Sequence, residues 1–183
     1  AGSRGKLGAA LLAAEGAARG GAGLTTLAVP GSLQPLVEAR VPEVMTASIG
    51  DGGSGLVAAP EEAELIALVR DRTLVVGGPG LGQGAGPRAL VEALLRLVDV
   101  PMVLDADALN ALADTRLLDG RRGPVVLTPH PGEMARLIGA TTGDVQADRL
   151  GTARRFAAAH GVVVVLKGAG TIIATPDGRS AIS

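Results

Sequence analysis

Stretches with apolar residues at helical spacing alternate along the chain with short unbroken apolar runs bounded by glycine and proline. KLGAALLAAEGAAR predicts a helix over Lys6–Arg19, ended by Gly20-Gly21. LTTLAV (Leu24–Val29) predicts a strand closed by Pro30-Gly31. A short helix over Ser32–Glu38 follows, with Ser32 as a candidate N-cap, then a strand over Val44–Ile49 and a flexible DGGSG loop. From Pro60 the pattern becomes regular. PEEAELIALVRD (Pro60–Asp71) opens with proline and acids and ends near a base, matching the helix macrodipole. Strands over Thr73–Val76, Pro101–Leu104, Val125–Leu127 and Val162–Leu166 then alternate with helices. These helices cover Pro87–Val98, Asp107–Ala113, Pro131–Ile138 and Gln146–Ala159. Thr171–Thr175 and Ser180–Ser183 flank Pro176-Asp177-Gly178 as a hairpin.

Strands alternating with helices imply βαβ units. The expected architecture is α/β, with a mainly parallel sheet covered on both faces and an antiparallel hairpin at its edge near the C-terminus. No repeat or low-complexity linker divides residues 1–183, which read as a single domain.

Composition narrows the function classes. Apolar residues make up 47% of the chain and charged ones 19%, which favours a packed core over a solvated disordered chain. With 17 basic and 18 acidic side chains, no bulk attraction to nucleic acid or an anionic membrane is expected. Phe156 is the only aromatic side chain of the Phe, Tyr and Trp class, so base-stacking platforms are excluded. The absence of cysteine excludes disulfides and thiolate metal sites, and a cytoplasmic, reducing setting is expected.

In open parallel sheets, ligands bind beyond the carboxyl ends of the strands, and here the unusual residues gather at those ends. GGPGLGQG (Gly77–Gly84) reads either as a tight strand-to-helix turn or as a place where a ligand meets bare backbone. In DADALN, Asp107 is either the N-cap of the next helix or, with Asp105, a carboxylate that orients substrate hydroxyls or hydrated Mg²⁺. Asn110 suits either role. TPHPGE holds His130 between two prolines, which stiffens its backbone and points to ligand contact; Glu133 would cap the helix or act on a metal through water. His160, at a helix end, complements the dipole. KGAGT (Lys167–Thr171) carries one of the two lysines, Lys6 being the other, where arginine is otherwise the habitual cation. Its glycines would let backbone N–H groups face a phosphate, and the alternative is a β-turn with a surface lysine.

Taken in order, GAALLAAEGAARGGAGLTTLAVP, VVGGPGLGQG, PMVLDADALNAL, VVLTPHPGEMARLIG and VVVVLKGAGTIIATPDG resemble the NAD(P)H-hydrate dehydratases. The resemblance runs from about Leu7 to Ser183. It implies a ribokinase-like three-layer α/β/α fold and a repair reaction on (S)-NADHX or (S)-NADPHX. In that reaction ADP or ATP, with Mg²⁺, phosphorylates the C6 hydroxyl, and loss of phosphate restores NADH or NADPH. Ala9, Gly80 and His130 would then contact the hydrate, and Lys167, Gly168, Ala169, Gly170 and Thr171 the nucleotide phosphates. Asp105, Asp107 and Glu133 are candidates for Mg²⁺ or substrate positioning. A homo-oligomer is expected. Family members open with a basic, glycine-containing segment and a strand ahead of the GS turn, and continue past the hairpin into a GxGD segment whose Asp is the expected base. The resemblance therefore implies a domain incomplete at both ends, with that base beyond Ser183. The alternatives are a sugar or vitamin kinase of the same superfold and a non-catalytic nucleotide-binding or oligomerisation module.

Overall fold

A computed structural model describes residues 1–183. In chain order the elements are α1 (Leu7–Arg19), β1 (Thr26–Pro30), α2 (Gln34–Glu38), β2 (Met45–Ile49), α3 (Glu62–Val69), β3 (Val75–Gly77), α4 (Ala85–Leu97), β4 (Met102–Leu104) and α5 (Asp107–Ala111). They continue as β5 (Val125–Leu127), α6 (Pro131–Ile138), α7 (Thr142–Ala147), α8 (Arg149–His160), β6 (Val163–Leu166), β7 (Ile172–Ala174) and β8 (Ser180–Ile182).

The main sheet has six strands in the order β3-β4-β5-β6-β7-β8. The first four run parallel, and β7 and β8 add the expected antiparallel edge. Along β4, β5 and β6 every second residue is fully buried (Met102, Leu104, Leu127, Val164 and Leu166 are at 0% exposure). The residues between them are only half-buried, so both faces of the sheet are covered.

The mainly parallel sheet with its antiparallel edge is as expected, and two further strands stand outside it. β1 and β2 pair in parallel with each other but do not bond to β3. They rest on α1 through a core of their own built from Ala10, Ala14, Leu27, Val29, Val37, Val41 and Val44. The edges of β1 and β3 both line an apolar cleft of about 510 Å³, which Ala14, Leu65 and Leu94 also line. Beside it the amino terminus donates to the Ala28 carbonyl (2.9 Å) and the Gly2 N–H to the Pro79 carbonyl (2.9 Å).

Other boundaries moved for local reasons. Ser32 is not an N-cap; it lies inside a 3₁₀ turn (Gly31–Leu33), and its hydroxyl donates to Asp51. The long helix expected over Gln146–Ala159 is broken at Asp148. There the carboxylate accepts the Gly151 N–H (2.9 Å) and starts α8 afresh, while a Thr141–Asp144 capping box starts α7. Short polar side chains that bond nearby backbone compete with helix continuation.

Candidate functional site

The parallel register fixes the site. Gly77 lies beside Leu104 and Leu104 beside Leu127, so β3, β4 and β5 end together; Leu127 lies beside Val164, so β6 runs two residues further, to Leu166, at the same rim of the sheet. Lys167, just past β6, donates from Nζ to Asp105 Oδ1 just past β4 at 2.6 Å, and lies 3.9 Å from Glu133 Oε2. Its backbone N–H donates to the Pro129 carbonyl at 2.9 Å, which ties the KGAGT and TPHPGE loops together. Lys167 is thus ion-paired at the rim while its side chain stays 41% exposed.

Burial works to raise the Asp105 carboxyl pKa. The hydrogen bond and charge of Lys167, with the Ala106 N–H, outweigh it and hold the group below the usual carboxylate range. Thr128 also lowers it, although its buried hydroxyl does not reach hydrogen-bond geometry with any partner.

Asp107 behaves in parallel. It is not the N-cap of α5; that position is Ala106, whose φ of 51° lies in the left-handed region. Asp107 Oδ2 accepts from Lys6 Nζ (3.0 Å) and from the Gly82 N–H (2.9 Å), and Oδ1 accepts from Asn110 (3.3 Å). Burial again raises its pKa, and the Gly82 and Lys6 contacts again lower it further than burial raises it. The only two lysines of the chain thus each pair with one aspartate of DADALN. Asp107 and Asn110 border a polar cleft of about 210 Å³ lined also by Gly82–Gly84 and Arg88.

The glycine loop after β3 is needed for close packing. A Cβ on Gly78 (φ 120°) would stand 1.7 Å from the Asp105 carbonyl oxygen, and one on Gly80 (φ 63°) 2.5 Å from the Lys6 carbonyl oxygen and 3.0 Å from Ala9 Cβ. Ala9 and Gly80 are therefore neighbours, and the turn presses DADALN against the start of α1.

His130 is the N-cap of α6. Its Nδ1 accepts the N–H groups of Gly132 (3.0 Å) and Glu133 (3.3 Å), and Glu133 Oε2 accepts the His130 N–H (2.7 Å), completing a capping box. The cap reading of Glu133 is thus observed. With Nδ1 occupied as acceptor, the imidazole carries its proton on Nε2, on a side chain that is 52% exposed.

Asp105, Asp107 and Glu133 do not fit a protein-built magnesium cage. No three His, Asp or Glu side chains converge with metal-ligand spacing, and each of the three carboxylates is already satisfied by a lysine or a backbone N–H.

KGAGT itself is polarised. The N–H groups of Gly168, Ala169, Gly170 and Thr171 donate to no protein acceptor, and residues 168–170 are exposed. Sequence reading missed Arg149 at the foot of this loop. It also assigned no role to Lys6, whose rarity was the available signal.

A mostly parallel sheet with an antiparallel edge, its strand-end loops pairing lysines with carboxylates, is the α/β fold of the ribokinase-like proteins. The comparisons make this specific: the NAD(P)H-hydrate dehydratase family model matches residues 1–183, and the chain belongs to that family. The bifunctional NAD(P)H-hydrate repair enzyme Nnr of Moorella thermoacetica is 46% identical over 179 residues, covering 97% of this chain and 34% of that protein. Nnr of Thermofilum pendens is 40% identical over 184 residues. Among solved structures, the ADP/ATP-dependent NAD(P)H-hydrate dehydratase of Bacillus subtilis, co-crystallised with ATP/Mg2+, superposes with a TM-score of 0.76 at 32% identity. It matches 99% of this chain, which in turn covers 60% of that one. A ribokinase-like superfamily protein of Enterococcus faecalis gives 0.80 at 25% identity. Phosphofructokinase-2 of Escherichia coli, at 16% identity and 0.62, shares the fold alone. The chain thus spans about a third of the length of the curated relatives it matches. No helix is long and apolar enough to cross a membrane.

Proposed function

We propose that this chain carries the hydrate side and one nucleotide-phosphate loop of an ADP- or ATP-dependent (S)-NAD(P)H-hydrate dehydratase. The observation that carries the reading is the polarised KGAGT loop joined by Lys167 to Asp105 and by its backbone to the TPHPGE loop. A nucleotide bound at Gly168–Thr171 would direct its terminal phosphate toward the rim that holds Gly80, Ala9 and His130. Hydroxide is a poor leaving group and phosphate a good one. The protein's task is then to hold the C6 hydroxyl of the hydrate against the donor phosphate and to neutralise charge. The O–P bond forms as the donor anhydride breaks, releasing AMP from ADP or ADP from ATP; the C6–O bond then breaks with its electron pair leaving on phosphate, and loss of a proton from the adjacent ring carbon restores the double bond of NAD(P)H.

On this reading Lys167 supplies cationic charge beside the phosphates while Asp105 fixes its ammonium. The half-exposed imidazole of His130, its Nε2 lying 3.5 Å from Glu133 Oε1, would offer a donor to the hydrate. Asp105 and Asp107, held ionised by their lysines, would position and neutralise charge at this rim. Magnesium would arrive on the nucleotide, as an ATP/Mg2+ complex was used with the Bacillus relative. The same reading expects a cytoplasmic homo-oligomer, which light scattering on the purified protein checks.

Incubation with labelled ATP and a panel of NADHX, sugars and vitamin precursors tests the substrate class. Phosphate release that depends on NADHX alone is expected. Accumulation of a phosphorylated sugar or vitamin would show a small-molecule kinase instead.

A further inference from the structure

Arg149 is the first residue of α8, a place where the helix macrodipole disfavours a cation. It pairs with no carboxylate; the neighbouring Asp148 pairs with Arg155. Its guanidinium instead faces the carbonyls of the KGAGT loop. Nη1 donates to Ala169 O at 2.6 Å, and Nη2 donates to Leu166 O at 3.2 Å and Lys167 O at 3.3 Å. Two further carbonyls of the loop are also taken: Gly168 O accepts the Thr171 hydroxyl (3.2 Å), and Thr171 O accepts the Ser183 N–H (2.9 Å).

The loop therefore turns its carbonyls inward onto a cation while four successive N–H groups, Gly168 to Thr171, are left without protein acceptors. A peptide unit cannot point both ends the same way, so drawing the C=O groups to one side commits the N–H groups to the other. The planar guanidinium fork suits this work, since it reaches three acceptors at once where an ammonium on a flexible stem would not. The fit also explains Gly168: its φ is 151°, and a Cβ there would stand 2.6 Å from Arg149 Nη2.

We propose that Arg149 is the positioning residue of an anion-binding loop. It clamps the carbonyls of Leu166, Lys167 and Ala169, while the Thr171 hydroxyl holds that of Gly168, so that the N–H groups of Gly168–Thr171 form a nest for phosphate oxygens, and it adds unneutralised positive charge beneath them. The nucleotide as occupant rests on the function proposed above; the clamp itself does not.

The test is a titration of ¹⁵N-labelled protein with inorganic pyrophosphate and then with ADP, following the amide resonances of Gly168, Ala169, Gly170 and Thr171. The same titrations are run on Arg149→Ala and Arg149→Lys. In the wild type the four resonances move together. Arg149→Ala raises the dissociation constant for both anions by about tenfold or more, the usual cost of removing a residue that orients a ligand-bearing group. Methylguanidinium restores much of the loss, and Arg149→Lys recovers only part of it.

Wild-type affinity in either folded variant would overturn the proposal. So would a loss in folded Arg149→Ala that methylguanidinium does not repair, because a merely structural arginine predicts that result. If Arg149→Ala fails to fold, Arg149→Lys decides on the same criterion. A response to pyrophosphate but not to ADP leaves the clamp standing and removes the nucleotide reading. No response of the four amides to either anion in the wild type removes the clamp's assigned role.

Discussion

Capping of α6, which His130 Nδ1 performs, and the proposed hydrate contact separate experimentally. Nδ1 caps α6, so His130→Ala loses about 1 kcal/mol of stability, the usual worth of a side-chain N-cap. His130→Asn restores a capping acceptor without the imidazole Nε2–H. If His130 contacts the hydrate, both variants weaken hydrate binding and leave ADP affinity nearly intact, while only the alanine variant shifts the urea midpoint. Equal loss of both ligands would assign the residue a structural role alone. Gly78→Ala is a harsher change, because the left-handed backbone and a Cβ 1.7 Å from the Asp105 carbonyl cannot both be kept. Strain at such a position costs on the order of 1–3 kcal/mol. The DADALN loop would shift with it, which urea unfolding and the Asp105 carboxyl resonance would both report. Lys167→Met behaves differently. The Lys167–Asp105 pair is partly exposed on both sides, so stability changes by less than about 1 kcal/mol, while the Asp105 pKa rises toward the ordinary carboxylate value. A carboxyl titration by NMR that shows no rise would remove Lys167 from this role.

Elements were legible in proportion to their periodicity. β4, β5 and β6 and the helices α4 and α6 carry strong apolar patterns bounded by proline or glycine, and each appears within a few residues of its expected place. The failures share a cause in short polar side chains whose partners, near or distant in sequence, decide the helix ends. Ser32 bonds to Asp51 and not to a helix end, Asp148 splits a helix that apolar spacing reads as continuous, and Ala106, not Asp107, precedes α5. The separation of β1 and β2 from the main sheet was invisible, since hydrophobic pattern specifies a strand but not its neighbour. In the site, motif spacing located the four strand ends. It did not reveal that both aspartates of DADALN are held by lysines, or that Arg149 underlies KGAGT, because such contacts depend on which loops the register brings together. Asp148→Ala tests the helix break directly. The Gly151 N–H loses its acceptor, and a lower melting temperature with faster amide exchange at the start of α8 is expected; unchanged exchange there would contradict the cap.

Across the whole molecule the acid limb of stability follows from the same pairs. Asp105 and Asp107 have folded-state pKa values below those of an unfolded chain, where Asp titrates near about 3.9. Their contribution is therefore fully present above that value and is lost as pH falls through the depressed folded values. Urea unfolding compared at neutral pH and near pH ~3 should show a loss that shrinks in Asp105→Asn. The rim built from Lys6, Asp107, Lys167, Asp105 and His130 is one continuous arrangement, and its proposed purpose is joint binding of hydrate and donor phosphate. The most direct measurement supplies the protein with enzymatically prepared NADHX and ADP or ATP and follows the return of NADH absorbance in the near ultraviolet. Recovery that requires both the nucleotide and Lys167 is the predicted result. Recovery without nucleotide, or none in a protein that binds both ligands, would contradict the account.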